Sequence, residues 1–178
     1  MFSLDPSIRV TYHPRIKKSS HSGFYNKSSV HSYTQRITVH NTKSAPPGSG
    51  NELLKIKVVD QVPISEDSTI TVRLLQPPLM LPGTDGNSGG TISGASGSSA
   101  ELKLPTPVKV SSGVVATWEG ADEISLGSVQ GQNDVDIESL GRDGRFCWIG
   151  SIPSQGKVNL VLQWEVSAPL RTNITGLT

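Results

Sequence analysis

The sequence predicts an all-β fold, an antiparallel two-sheet sandwich of immunoglobulin-like type with about seven to nine strands. Three observations predict it. Apolar and polar residues alternate in run after run, which is the period of a half-buried strand. Glycine and proline are abundant, 18 and 12 of 178 residues, which suits short strands and tight turns and penalises long helices. No stretch reads convincingly as a helix.

The elements follow in chain order. Ile8, Val10 and Tyr12 alternate with Arg9 and Thr11. Tyr33, Ile37 and Val39 alternate with Thr34, Arg36, Thr38 and His40. The loop from Asn41 to Gly50 leads to a third run, Leu54, Ile56 and Val58 with Lys55 and Lys57 between them. Asp60-Gln61-Val62-Pro63 ends that strand, because Pro63 cannot donate to a ladder, and Ser65-Glu66-Asp67 forms a polar bend of the kind a sheet-to-sheet corner needs. Ile70, Val72 and Leu74 resume the alternation. The segment near 83–99 is almost entirely Gly, Ser and Thr; it is expected to be a disordered loop inside one domain spanning 1–178, since it cannot bury enough apolar surface to offset ordering entropy. Val108–Val110 and Val114–Trp118 read as two further strands. Asp134, Asp136 and Glu138 alternate with Val135, Ile137 and Ser139, a short strand with an acidic face. Asp143-Gly144 is a hairpin signal leading into Arg145–Ile152. Ser154-Gln155-Gly156 is expected to close a hairpin with the longest run, Val158, Leu160, Leu162, Trp164 and Val166.

Composition bounds the function. The formal net charge is +1, but residues 1–51 carry +6 and the remainder −5. Either the basic end attracts acidic surfaces or the two ends neutralise each other in the fold. Cys147 is the single cysteine, so no intrachain disulfide forms; with no signal peptide discernible, a cytoplasmic or otherwise intracellular location is expected. No apolar run approaches the roughly 20 residues that cross a bilayer as a helix.

The motifs of chemistry are sparse. No G-x-S-x-G elbow is present. The four histidines, His13, His21, His31 and His40, lie eight to ten residues apart with no cysteine nearby, which is poor metal-ligand spacing. The acidic trio at 134–138 lacks the glycine and spacing of a hand-type calcium loop. The Gly-rich segment lacks the Lys-Ser/Thr of a phosphate loop. No catalytic, metal or cofactor residue is therefore assigned, and no cofactor is expected. The candidate ligand or partner surface is Tyr12, Arg15, Lys17, Lys18 and Trp148. The first four form a basic cluster with interleaved aromatic character, too short to favour nucleic acid. Trp148 lies in Phe146-Cys147-Trp148-Ile149, where both faces are apolar; that implies burial on both sides or one exposed aromatic patch of the sort that binds carbohydrate.

Asp5-Pro6-Ser7-Ile8-Arg9-Val10-Thr11-Tyr12-His13-Pro14, Ile37-Thr38-Val39-His40-Asn41, Ile56 to Asp67 and Val158 to Pro169 together resemble the C-terminal end of the mucoidy-inhibitor-like family in its fungal form. The resemblance spans nearly the whole chain. It implies a β-domain whose own function is unknown, and a chain that is a fragment or a short relative of longer proteins, with flanking strands missing from one edge of the sandwich.

The expectation from sequence is thus a non-catalytic β-sandwich interaction or assembly domain with a protein partner, for which a second copy in a homodimer is a candidate. A carbohydrate-binding module is the alternative, and an unrecognised hydrolase the next.

Overall fold

The computed structural model describes residues 6–22, 28–45, 53–81, 105–121, 137–170, 172 and 174. They form nine strands: β1 (Ile8–Tyr12), β2 (Ile16–Ser22), β3 (Ser28–Asn41), β4 (Leu53–Gln61), β5 (Thr71–Gln76), β6 (Val108–Ser111), β7 (Val114–Trp118), β8 (Arg145–Pro153) and β9 (Lys157–Pro169). The chain is an all-β antiparallel two-sheet sandwich. The five-stranded sheet runs β1-β3-β9-β5, with β2 also paired to β3; the four-stranded sheet runs β4-β8-β7-β6.

β1 and β2 form one broken edge. Tyr12 stands opposite Ile37 and Ile16 opposite Thr34, so His13, Pro14 and Arg15 face only Gln35 and Arg36. That extra residue is a bulge. It is pinned by the His13 amide on the Arg36 carbonyl at 2.9 Å and by the Gln35 side chain, whose Nε2 donates to the His13 carbonyl at 2.6 Å.

The core lies between the sheets, and the period-two pattern puts it there. On β9, Val158, Leu160, Leu162, Trp164, Val166 and Ala168 point inward; opposite them on β3 stand Val39, Ile37 and Tyr33. On β8, Phe146, Trp148 and Ile152 supply the facing layer. Five of the nine aromatic residues are concentrated here. Tyr33 and Trp164 stack at 5.3 Å and 13°, whereas Trp118, Phe146 and Trp148 make an edge-to-face chain at 6.5 and 4.8 Å. Aromatic pairs of both geometries add to plain burial. Gly150 belongs to this layer for a steric reason. A Cβ there would meet the Gly113 carbonyl and, at 2.9 Å, the Val114 Cα.

The chain changes sheets four times, between β3 and β4, β4 and β5, β5 and β6, and β8 and β9. From β3 to β4, Asn41 holds the crossing: its buried Nδ2 donates to the Ile152 and Pro153 carbonyls at 3.2 and 3.1 Å, and its Oδ1 accepts the Lys43 amide. From β4 to β5, the corner expected at Asp60–Asp67 is present, with Val62 fully buried and Asp67 Oδ1 accepting both the amide and the hydroxyl of Thr69.

The crossing from β8 to β9 corrects the sequence reading. Ser154-Gln155-Gly156 does not close a hairpin: β8 pairs with β4 and β7, while β9 pairs with β3 and β5. The turn, with Gln155 at φ 59°, is an arch between sheets, because both flanking strands need their apolar faces against the same core. Asp143-Gly144 leads into β8 as expected, but the paired strand before it, β7, ends at Trp118 and is not joined to β8 by this turn alone. Gly144, at φ 72°, lies so close to Val62 that a Cβ would strike the Val62 carbonyl. Ile137–Ser139 forms a 3-10 turn, not part of an acidic strand; Asp134 and Asp136 lie outside the described residues, as does the segment near 83–99. β2, which the sequence analysis did not identify, is a full strand.

Candidate functional site

The two edges on one side of the sandwich, β1-β2 and β4, carry the features that a surface could use. Their ladders fix what they offer. The Thr42 amide bonds the Ser7 carbonyl and the His13 amide bonds the Arg36 carbonyl; odd-numbered residues of β1 therefore face β3, and the backbone groups of Val10 and Tyr12 point out to the open edge. Their side chains fall on the inward face, opposite Val39 and Ile37. Yet Val10 is 38% and Tyr12 57% exposed. On β4 the inward register is Leu54, Ile56, Val58 and Asp60, opposite Ile152, Gly150, Trp148 and Phe146, and all four remain half-buried. A side chain that points toward a core but stays wet marks a sandwich that the described residues do not close on that side.

Asp60 is the unusual member, a carboxylate where the alternation calls for an apolar residue. Its Oδ1 accepts the Gln61 amide at 2.8 Å. Burial pushes its carboxyl above the usual value, opposed by that amide bond and by the charge of Arg15. Partial burial, and then the Asp60 charge, raise the Tyr12 phenol in turn. Tyr12, Arg15 and Asp60 thus sense one another across the seam between the sheets.

Cations cap the aromatic end of the same side. The Arg15 guanidinium lies 5.4 Å from the Trp164 ring centre and the Lys17 ammonium 5.5 Å from the Tyr33 ring. Both reach inward from the edge across the Tyr33–Trp164 stack, and such contacts favour a partly desolvated cation. The structure therefore brings Tyr12, Arg15 and Lys17 together, with Lys18 exposed on the opposite face of β2. It does not bring Trp148 to them: that side chain has no exposed surface. Of the two readings its neighbours allowed, burial on both sides is the one realised, since Cys147 on the other face of β8 is also fully buried. Trp118 and Trp164 are likewise enclosed, which removes the tryptophans as a carbohydrate platform.

Histidine chemistry is limited. His31 Nδ1 lies 2.8 Å from Ser19 Oγ, but the two are directly opposed on β2 and β3, where a ladder brings any pair together. A nucleophile–base pair also needs an orienting group, and none is bonded to His31 among the described residues. His13 Nε2 meets Thr38 Oγ1 at 2.8 Å, and Thr38 donates to Asn159 Oδ1 at 2.9 Å. Among the described residues no three His, Cys, Asp or Glu side chains converge on a metal position, and no helix is long and apolar enough to cross a membrane.

Comparison with known proteins places the chain in a family. The sequence profile of a domain of unknown function, DUF4139, matches residues 4–109, more than half of the chain, and the protein belongs to that family. The matched region holds β1 to β5 and the start of β6, and with them the open side. No curated protein and no solved structure matches.

Proposed function

We propose that this member of the DUF4139 family is a non-catalytic interaction module that works through strand edges on the open side of its sandwich, and that it pairs with a second copy of itself along β1. The observation that carries the reading is the exposure of Val10 and Tyr12 on the core-facing side of an edge strand, beside backbone groups that have no neighbouring strand among the described residues. Such an edge recruits another strand, and twofold pairing is the commonest closed solution. Antiparallel β1–β1 addition would join two five-stranded sheets and cover Val10 and Tyr12 from both copies.

Light scattering coupled to size exclusion at micromolar concentration tests it. The expected mass is twice the 18.9 kDa of the chain, and Val10→Pro, which removes an outward N–H while sparing the bonds to β3, is expected to return the mass to that of one chain. A parent protein that elutes as a monomer overturns self-pairing.

A further inference from the structure

The outer face of the five-stranded sheet can be read from its registers, because strand residues alternate between core and surface. One row across β1, β3 and β9 is Arg9, His40 and Lys157; the next is Thr11, Thr38 and Asn159. Further along β3, Arg36 stands opposite Val161. A later row across β2, β3, β9 and β5 is Lys18, Ser32, Glu165 and Arg73. Arg9, Lys18, Arg36, Arg73 and Lys157 are all exposed. Glu165, half-buried, is the one acid on this face among the described residues. Arg9, Lys18 and Arg36 belong to the basic stretch 1–51, and Arg73 and Lys157 join them from β5 and β9. On this side the fold does not neutralise the basic end but adds to it.

The sheet has no internal use for these charges. Among the described residues none of the five side chains forms an ion pair, although Arg73 stands directly opposite Glu165. Clustered cations of one sign raise the potential over the whole face. The positions between them carry hydroxyls and amides, as at Thr34, Thr38 and Asn159. Ile16, Val30 and Val161 lie on different strands and in different rows, so no apolar centre forms.

We infer that this face docks on an anionic lipid surface, with Arg9, Lys18, Arg36, Arg73 and Lys157 meeting headgroup phosphates. Three features select that occupant. The cations are spread over one broad face, so their long side chains reach many headgroups at once. A protein–protein interface gathers apolar side chains at its core, whereas the middle of this face is Thr34, Arg36 and Thr38. Single-stranded nucleic acid stacks its bases on aromatic side chains, and none stands on this face among the described residues; a duplex is read by an element that enters a groove, which a sheet face does not do. Attachment of this kind is peripheral. Each Lys or Arg near an anionic surface contributes about fivefold in partition, and the attraction decays within a Debye length. The residues all come from one chain and lie away from the outward backbone groups of β1, so the inference stands apart from β1 pairing.

Flotation of the full chain with vesicles tests it, using phosphatidylcholine alone and phosphatidylcholine mixed with phosphatidylserine. Binding is expected only where phosphatidylserine is present, and it is expected to fall as salt rises. Arg36→Gln is expected to weaken partition about fivefold, and Arg9→Gln combined with Lys157→Gln about 25-fold. Lys55→Gln combined with Lys109→Gln removes the same charge from exposed positions on β4 and β6 of the other sheet, and is expected to stay within about twofold of the parent. All these side chains are exposed, so the variants are expected to keep the parent's circular dichroism. Equal binding to both kinds of vesicle overturns the inference, as does unchanged binding in the folded Arg9→Gln/Lys157→Gln protein. An equal loss in the Lys55→Gln/Lys109→Gln protein reduces the effect to net charge and overturns it too. A DNA duplex or polyglutamate that binds more tightly than the vesicles, and is lost in the same variants, gives the face another occupant and overturns the lipid reading. Light scattering of the lipid-free protein reports on β1 pairing separately, so loss of vesicle binding with the dimer intact counts against this inference alone.

Discussion

Replacing Trp164 by alanine separates a core residue from a binding residue. The indole is 4% exposed, stacked on Tyr33 at 5.3 Å and capped by Arg15. Truncating a buried tryptophan to alanine costs roughly 3–5 kcal/mol. The upper half of that range is expected here, because the change removes a ring pair worth about 0.5–1.5 kcal/mol beyond its area as well as the volume. For a chain of this size such a loss lowers Tm by roughly 8–20 °C. The assay is urea denaturation followed by far-ultraviolet circular dichroism, which does not depend on the fluorophore being deleted, with the slope compared with that of the parent. Tyr33→Leu alone and combined with Trp164→Ala completes a double-mutant cycle, and the coupling is expected at about 0.5–1.5 kcal/mol. A loss below about 1 kcal/mol with an unchanged slope would refute the reasoning, since surface substitutions rarely exceed such values; the Tyr33–Trp164 stack would then be a solvent-facing platform and not part of the core.

Asn41→Ala is expected to cost roughly 2 kcal/mol or more in the same denaturation assay, because it strips two carbonyls and an amide of their partner at a buried crossing; a neutral result would show that the β3–β4 connection is held elsewhere. Asp60→Asn is expected to raise Tm at neutral pH and to flatten its acid dependence. The folded carboxyl sits above its ordinary value of 3.8, so the native state binds the proton more tightly than the unfolded one, and this group's contribution makes the parent gain stability as pH falls through the raised value toward 3.8 and lose it as pH rises again. Tm measured from pH 7 down to that range, parent against variant, checks the sign; a parent that loses stability relative to the variant on acidification contradicts it.

Much of the sandwich was legible because alternation is a local signal. Val158 to Val166 declares its inward face without reference to anything else in the chain, and Trp164 lies where that count puts it. Pairing is not local. A turn such as Ser154-Gln155-Gly156 serves equally between two strands of one sheet or between two sheets, and the choice is made by which faces must share a core. β2 escaped notice for the opposite reason. Ile16-Lys17-Lys18-Ser19-Ser20-His21-Ser22 has no apolar period because residues 16–21 are exposed on both faces; it is a strand because β3 is long enough to pair with it. The site was half visible. Arg15, Lys17 and Lys18 stood out as a basic cluster, but the rings under Arg15 and Lys17 come from β3 and β9. Asp60 read as the start of a turn, although the signal was present: continuing the count Leu54, Ile56, Val58 by two places puts a carboxylate on the inward face.

That inward carboxylate ties the stability of the fold to what its surface can accept. An edge of nine regular residues with Ile56 and Val58 half-exposed beside it would pair with any apolar strand, including its own copies in an aggregate. Asp60 opposes this at the register position where an inward apolar side chain would displace its solvent, and Arg15, anchored on Trp164, holds a compensating charge nearby. Specificity of this kind is a difference between affinities, built as much from what the edge rejects as from what it binds. The raised carboxyl of Asp60 is a cost in stability that the folded chain carries at neutral pH.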